Sequence, residues 1–297
     1  MAHSVGNTKT HKSKKRLMFV FILTAFYMLA EAVGGIVTGS LALLADAAHM
    51  LTDAGALGLS LLAIRFAERP ATAQKTYGFL RAEILAALAN ATALLLVTVY
   101  ILFEAWRRLS NPPEVMSWPM LIVASIGLVI NVVGMRMLAD AAKDSLNVKG
   151  AYLEVLSDTL GSLGVIVASL IMMKTGWYLV DPIIGAAIGL FIVPRTWKLL
   201  SESVHILMEG TPYGIDLSVV EQKMNSVSGV TGVHDLHVWT ITSGVDSLSA
   251  HVVVRADAQA DAVLRELKRV LEDGFNIGHT TIQLEPARFA ESEMREL

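Results

Sequence analysis

GSLALLADAAHMLTD, residues 39–53, is an apolar run that carries three ionisable side chains, Asp46, His49 and Asp53. A charged group at the centre of a membrane span costs about 2.5–3.5 kcal/mol by insertion scales. Ionisable residues inside a span therefore indicate a functional site. The meaning of this run therefore depends on whether the chain around it forms a membrane domain.

Composition and length favour a membrane protein. The chain has 297 residues, of which 54% are hydrophobic and only 17% charged, against about 25% charged in soluble domains. Six stretches reach the roughly 20 apolar residues that a helix needs to cross a bilayer, and turn signals separate them. They are residues 17–37, 41–64, 82–104, 118–139, 151–173 and 182–200. The sequence has no cysteine, which excludes disulfides and thiolate metal ligands.

The composition of the chain changes after the sixth stretch. From His205 onward charged residues are frequent, with 14 acidic against 7 basic side chains. The predicted order of elements here is αββαβ, which suits a small α+β domain. Its helices are predicted at 216–227 and 259–274, and its strands at 231–242, 246–256 and 279–285. We therefore predict an integral membrane α-helical protein with an N-terminal tail (1–16), a transmembrane domain of six helices (17–204) and a small α+β domain (205–297).

The orientation follows from the basic residues, which concentrate on the cytoplasmic side of membrane proteins. If the N-terminus is cytoplasmic, the inside segments before residue 205, including the N-terminal tail, hold 14 Lys and Arg and the outside loops hold three. We therefore expect both termini, and with them the C-terminal domain, in the cytoplasm. The expected partner of the helices is the lipid bilayer, and we expect no nucleic-acid partner.

A second polar run accompanies the first. Glu154 and Asp158 lie in the fifth stretch at the same four-residue spacing as His49 and Asp53, so each pair occupies one face of its helix. Facing each other, the two pairs bring together one imidazole and three carboxylates, a suitable tetrahedral shell for zinc. Alternatively, these are buried polar groups that hydrogen-bond between helices.

Such a site predicts proton exchange. With His49 neutral, three like-charged carboxylates remain, and burying them together is unfavourable unless a cation or protons bind. Metal and protons would therefore compete for the same oxygens, and alternating exposure of the site would couple their flows. We interpret Asp46, and Glu31 in the first stretch, as contacts between helices rather than as metal ligands.

Histidines mark a second candidate site in the C-terminal domain. Side chains alternate across a strand, and this parity places His237, His251, His279 and Glu285 on the sheet face that the helices leave open. His234 has the other parity and lies near the start of its strand. These residues are candidate metal ligands or, alternatively, exposed polar residues on an interface.

The two polar runs resemble the second-span and fifth-span signatures of the cation diffusion facilitators, and the chain is most similar to the bacterial zinc, cobalt and cadmium resistance branch of that family. NPP at 111–113 and LMEGTP at 207–212 are also similar to family landmarks. The resemblance implies a homodimeric metal/proton antiporter that exports metal from the cytosol across the bacterial inner membrane. It implies no enzymatic activity and no cofactor, with Zn²⁺ as the transported substrate and a candidate regulatory ligand.

For the C-terminal domain, the resemblance implies a ferredoxin-like fold that dimerises and binds regulatory zinc. His234, His251 and Glu285 match metal-ligand positions of the family. The resemblance also implies an interdomain charge pair between Arg81 and Glu209.

One position departs from the family pattern, because many zinc members have His where this chain has Glu154. A third carboxylate makes the site harder, so we expect cobalt or cadmium to be carried beside zinc. Two alternatives to an antiporter are a membrane metalloenzyme, which needs an open zinc position and a general base, and a passive metal channel or sensor.

Overall fold

A computed structural model describes residues 3–51, 55, 65, 69–139 and 146–287 of the chain. The helices and strands of these residues are, in chain order, α1 (His3–Thr38), α2 (Leu41–Leu51), α3 (Ala82–Ser110), α4 (Ser117–Leu138), α5 (Leu146–Thr175), α6 (Val180–Leu207), α7 (Leu217–Asn225), β1 (Val230–Thr242), β2 (Val245–Val254), α8 (Ala260–Phe275) and β3 (His279–Pro286). Apart from residue 55, the part of the second predicted span that follows α2 lies outside the described residues.

Among the described residues, five helical segments are long and apolar enough to cross a membrane. They are Met18–Thr38 within α1, all of α3 and α4, Val148–Thr175 within α5, and α6. Many of their large apolar side chains, among them Phe26, Trp106 and Phe191, are exposed on the protein surface, where lipid tails would surround them. The predicted helical membrane domain is confirmed, and α2 is the described start of its second span.

One buried carboxylate holds the start of α2. Asp181, at the start of α6, is fully buried. It accepts hydrogen bonds from Ser40 Oγ at 2.6 Å and from the backbone N–H groups of Leu41 at 2.7 Å and Ala42 at 3.2 Å. The first N–H groups of a helix have no partner within the helix, and a negative charge is favourable at that end. Asp181 therefore caps α2 from another helix.

An ion-pair network extends this contact to α3. Arg108 Nη1 lies 3.7 Å from Asp181 Oδ2 and donates a 2.6 Å hydrogen bond to the carbonyl of Gly39. Gly39 has a φ of 72°, which the turn between α1 and α2 requires and glycine adopts without strain. Arg108 Nε and Arg107 Nη2 each donate to Glu104 Oε1 at 2.8 Å. The turn before α2 is thereby joined to both α3 and α6.

Glycines allow close contacts between the helices around α2. A Cβ atom at Gly127 of α4 would overlap the phenol of Tyr27 in α1, and one at Gly161 of α5 would lie 2.6 Å from Asp46 Oδ1 in α2. Close-packed interiors have no room for a side chain at such distances. Gly161 therefore lets α2 lie directly against α5, the helix that carries two of the predicted metal ligands.

The C-terminal part contains a three-stranded sheet in the order β1-β2-β3, with β1 and β2 antiparallel and β2 and β3 parallel. Parallel neighbours need a crossover connection, which α8 provides. Val220 of α7 and Val263, Leu267 and Leu271 of α8 form a buried core with residues of β1 and β2 such as Leu248. The predicted small α+β domain, with its order αββαβ, is confirmed.

An irregularity in β1 changes which histidines face the same side. His234 and His237 are three residues apart but pair with His251 and Ser249, which are two apart, so β1 contains a bulge. Asp235, within the bulge, has a positive φ of 50°. The bulge places His234 on the same face as His251, which uninterrupted alternation along the strand did not predict.

The chain packs as two compact units. The described residues of Met1–Ser60 and Ala89–Leu200 form the first unit, and those of Leu61–Leu88 and Ser201–Leu297 form the second. The loop before α3 therefore packs in the same unit as the C-terminal sheet. The predicted domain boundary at residue 204 instead assigned this loop to the transmembrane domain.

Replacing Asp181 tests whether this residue holds the start of α2. Asp181→Ala would leave Ser40 and two buried N–H groups without their acceptor, so we expect it to lower the free energy of unfolding by about 1.5–3 kcal/mol, the range for hydrogen bonds to a charged group. Asp181→Asn keeps one acceptor oxygen and should lose less. Unfolding of the protein purified in detergent measures both, and Asp257→Ala, at an exposed acidic residue, is the control. Wild-type stability of Asp181→Ala would contradict the role.

Candidate metal centre

The first candidate site lies between α2 and α5. His49 Nε2 is 3.9 Å from Glu154 Oε1 and 3.9 Å from Asp158 Oδ1. His49 and Asp158 are buried, and Glu154 is partly exposed. Asp53, the fourth predicted ligand, lies outside the described residues. The structure thus brings together the three predicted ligands that it describes.

Two atoms of this group, His49 Nε2 and Asp158 Oδ1, are buried and have no hydrogen-bond partner among the residues that the structure describes. An unpaired buried polar atom costs about 1–3 kcal/mol, so two of them facing each other indicate a ligand. Zinc binds His nitrogen and carboxylate oxygen at about 2.0–2.2 Å, which places two donors on a tetrahedral ion about 3.3–3.6 Å apart. The separations of 3.9 Å are slightly larger. The donors therefore fit a divalent metal ion that draws the side chains together.

Arg195 of α6 also contacts this site. Its Nη1 donates to Glu154 Oε1 at 2.7 Å and its Nη2 to Glu154 Oε2 at 3.3 Å. From the sequence, Arg195 is included only among the basic residues of the cytoplasmic side and is not predicted at the site. Its position within the sixth predicted span was the signal that could have identified it, because an ionisable residue in a span is a functional candidate by default.

A pair of acidic residues lies beside the site. Glu31 of α1 and Asp46 of α2 are both buried and interact with each other. Tyr27 donates a hydrogen bond to Glu31. The interaction between Glu31 and Asp46 joins α1 to α2, whereas the hydrogen bond from Tyr27 lies within α1.

The second candidate site lies on the sheet of the C-terminal part and centres on Glu285. This side chain is buried, with Oε2 3.1 Å from His234 Nε2 and Oε1 3.0 Å from His251 Nδ1. Gln283 Nε2 donates a 2.7 Å hydrogen bond to Oε1. One donor atom from each of His234, His251 and Glu285 lies within 4.8 Å of the others. These three side chains could therefore hold one metal ion.

His279 shares a sheet face with Glu285 but does not reach it. The two residues lie at opposite ends of β3, which corresponds to about 20 Å at about 3.3 Å per residue. The ring of His279 instead meets the ring of Tyr77 edge-on, with centroids 5.5 Å apart. The structure does not bring His279 into the cluster, because parity specifies the face on which a side chain lies and not its position along the strand.

His237 also lies outside the group of three. It is exposed, and its Nε2 is 2.8 Å from Asp235 Oδ1, a hydrogen bond that lowers the pKa of Asp235. Asp235 Oδ2 is in turn 3.9 Å from His251 Nε2. Asp235 was not identified as a candidate from the sequence. Its position between two histidines in HDLH, 234–237, was a signal for it.

The residues of the predicted charge pair are in contact within the second unit. Arg81 Nη2 donates to Glu209 Oε1 at 2.8 Å. Glu83, at the start of α3, accepts hydrogen bonds from Thr242 Oγ1 at 2.6 Å and Ser243 Oγ at 2.9 Å. The segment around the start of α3 therefore contacts both the residues after α6 and the turn between β1 and β2.

Comparison with known proteins identifies the family. The family model described as the cation efflux transmembrane domain matches residues 17–208. The model described as the cytoplasmic domain of cation efflux proteins matches residues 212–287. Together the two matches cover both sites described above.

Individual relatives match over nearly their full length. The metal cation efflux system protein CzcD of Cupriavidus metallidurans is 50% identical, over 95% of this chain and 90% of that protein. The cadmium, cobalt and zinc/H⁺-K⁺ antiporter of Bacillus subtilis is 42% identical, over 92% of this chain and 89% of that protein. The zinc transporter ZitB of Escherichia coli is 40% identical, over 96% and 93%. The chain therefore belongs to the cation efflux family, also called the cation diffusion facilitators.

Proposed function

We propose that this multi-pass membrane protein exports divalent transition-metal ions from the cytosol, zinc with cobalt or cadmium beside it, in exchange for protons. The observation that carries the proposal is a pair of buried atoms, His49 Nε2 and Asp158 Oδ1, which face each other at 3.9 Å and have no hydrogen-bond partner within the described part of the chain. Glu31, Asp46, Thr98 and Asn131 also have a buried atom without a partner among the described residues. At this site, however, an imidazole nitrogen and a carboxylate oxygen, both suitable zinc donors, face each other. Members of the family are transporters, and no chemical step is assigned to the site.

The charges of the site account for the exchange with protons. If Asp53 is the fourth ligand, the site has three carboxylates, and one of them, Glu154, is in contact with Arg195. A divalent ion compensates the remaining charge, and without it protons do so, because burying uncompensated like charges is costly. Metal and protons therefore compete for the same oxygens. Alternating exposure of the site to the two sides of the membrane would couple their flows.

The named substrates of the relatives support the choice of ions. One relative is named as an antiporter of cadmium, cobalt and zinc, and another as a zinc transporter. Glu154 supplies a carboxylate where many zinc members have an imidazole, which relaxes a preference for zinc. We therefore infer that zinc shares the site with cobalt or cadmium.

We further infer that the C-terminal domain is cytoplasmic, joins two chains into a homodimer and binds a regulatory ion at His234, His251 and Glu285. The matched family domain is described as cytoplasmic, and the distribution of basic residues favours both termini on the cytoplasmic side of a bacterial inner membrane. A metal ion at this cluster would make transport sensitive to the cytosolic metal concentration.

Removal of a membrane ligand tests the transport site. Asp158→Ala, and likewise Asp53→Ala, should abolish transport because each removes a carboxylate ligand, while insertion and dimerisation persist. Metal-dependent proton flux in proteoliposomes measures transport. Size-exclusion chromatography of protein extracted from the membrane measures insertion and dimerisation. Glu114→Ala, which removes an exposed carboxylate between α3 and α4, should transport like the wild type. Wild-type flux in both ligand variants would refute the site.

A double replacement tests the cytoplasmic cluster. His251→Asn combined with Glu285→Gln should reduce the zinc bound per chain and lower the transport rate at low metal concentration. The maximal rate should stay unchanged, because the membrane ligands are intact. His279→Asn, on the same sheet face, is the matched control and should bind as much zinc as the wild type. Unchanged zinc stoichiometry in the double variant would exclude the cluster.

Charge reversal tests the contact between Arg81 and Glu209. Their side chains are 36% and 61% exposed in the single chain, and an exposed ion pair contributes about 0–1 kcal/mol. If the pair couples the domains, Arg81→Glu and Glu209→Arg should each lower flux or dimer stability, and the double swap should restore part of the loss. Lys223→Glu controls for a charge change elsewhere on the domain. Losses that simply add would show that the two residues act independently.

A further inference from the structure

The contact between Arg195 and Glu154 places a fixed cation against the transport site. The guanidinium meets the carboxylate with two nitrogens, at 2.7 Å and 3.3 Å, in the forked geometry that Arg favours with carboxylates. The Arg195 side chain is 62% exposed, and that of Glu154 is 27% exposed. The pair therefore lies at the edge of the site, with the guanidinium largely exposed on the protein surface.

The oxygen that Arg195 holds at 2.7 Å is the one that faces the histidine. Glu154 Oε1 is bound by Arg195 Nη1 and is also the atom 3.9 Å from His49 Nε2. A metal ion shared by His49 and Glu154 would need this oxygen. A guanidinium has five donors and no acceptor, so it cannot join the metal shell and instead repels a second cation.

We propose that Arg195 is a positioning residue of the transport site. Its guanidinium holds Glu154 before metal binds, competes with the metal for the same oxygen and pairs with the carboxylate again when the metal leaves. The proposal rests on the transport function proposed above. Arg remains protonated at any physiological pH, so this competition differs from that of protons and adds a term that does not depend on pH.

The competition has two opposite effects on transport. Before binding, the ion pair lowers the affinity for metal, because part of the binding free energy goes into separating Glu154 from Arg195. During release, the same pair stabilises the metal-free site and speeds departure of the ion. Removal of the guanidinium should therefore lower KM and kcat together, a pattern that a loss of folding or of membrane insertion does not produce.

The effect must act through Glu154. An amide at position 154 keeps the size of the side chain but cannot form an ion pair with Arg195. If Arg195 competes for the carboxylate, its removal should matter only where Glu154 is present. If Arg195 acts as a general positive charge near the pathway, its removal should matter equally in both backgrounds.

The test measures initial rates of zinc-dependent proton flux against zinc concentration, with full-length protein in proteoliposomes. The variants are Arg195→Gln, Arg195→Lys, Glu154→Gln and the double variant Arg195→Gln with Glu154→Gln. Lys198→Gln, at the other basic residue of this part of α6, is the charge control. Zinc titrations in detergent provide the binding constant separately from the turnover.

We expect Arg195→Gln to lower KM and the zinc Kd by about two- to fivefold, the range for a partly exposed ion pair, and to lower kcat as well. Arg195→Lys, which keeps the charge but loses the fork, should lie between Arg195→Gln and the wild type. In the Glu154→Gln background, which lacks one carboxylate ligand, the zinc Kd in detergent is the readout, and Arg195→Gln should leave that Kd unchanged. Lys198→Gln should leave KM and kcat at their wild-type values.

Equal changes in both backgrounds, or wild-type KM and kcat in Arg195→Gln, would overturn the competition while leaving the transport function standing. A raised KM in Arg195→Gln would also overturn it, because the guanidinium would then be assisting metal binding. Absence of zinc-dependent flux in the wild type would instead refute the proposed function itself.

Discussion

Carboxylates buried between apolar helices must be compensated by cations or hydrogen-bond donors, and the membrane domain is organised by this requirement. At the candidate transport site, Glu154 contacts Arg195, while His49 Nε2 and Asp158 Oδ1 face each other and have no hydrogen-bond partner among the residues described. One carboxylate is thus held by a fixed cation of the protein, and an oxygen of another is available to a ligand. This division of charge suits a site that must bind a divalent cation and also release it.

The same requirement explains the polar contacts away from the site. Asp181 is buried and satisfied by a hydroxyl and two backbone N–H groups at the start of α2. His49 lies about two turns further along α2. The cap therefore fixes the start of the helix that carries His49 against α6, while the contact of Asp46 with Gly161 brings the same helix against α5. A network that looks structural thus helps to set the geometry of the metal ligands.

In the C-terminal domain, histidines compensate a buried carboxylate, and these histidines are partly exposed. Glu285 is buried between His234 and His251 on the sheet face opposite the helices. The bulge at Asp235 brings His234 opposite His251. The two histidines are only partly buried, so an ion could reach them from the aqueous side without crossing the apolar core. A site of this kind suits sensing, whereas the buried site between α2 and α5 suits transport.

The sequence by itself determined the elements and the faces of this protein. Apolar length predicted the membrane helices, alternating and helical periodicity predicted the order αββαβ, and the four-residue spacing placed each ligand pair on one helix face. Only the tertiary structure decided that Arg195 contacts Glu154 and that Asp181 caps the start of α2. Strand parity excluded His234 and the family resemblance named it, and the bulge in β1 explains how it lies beside Glu285. The physical reason is range. Periodicity reflects neighbours within about four residues, whereas partners across helices and strands depend on register, which a bulge or a close contact at a glycine shifts without leaving a periodic pattern in the sequence.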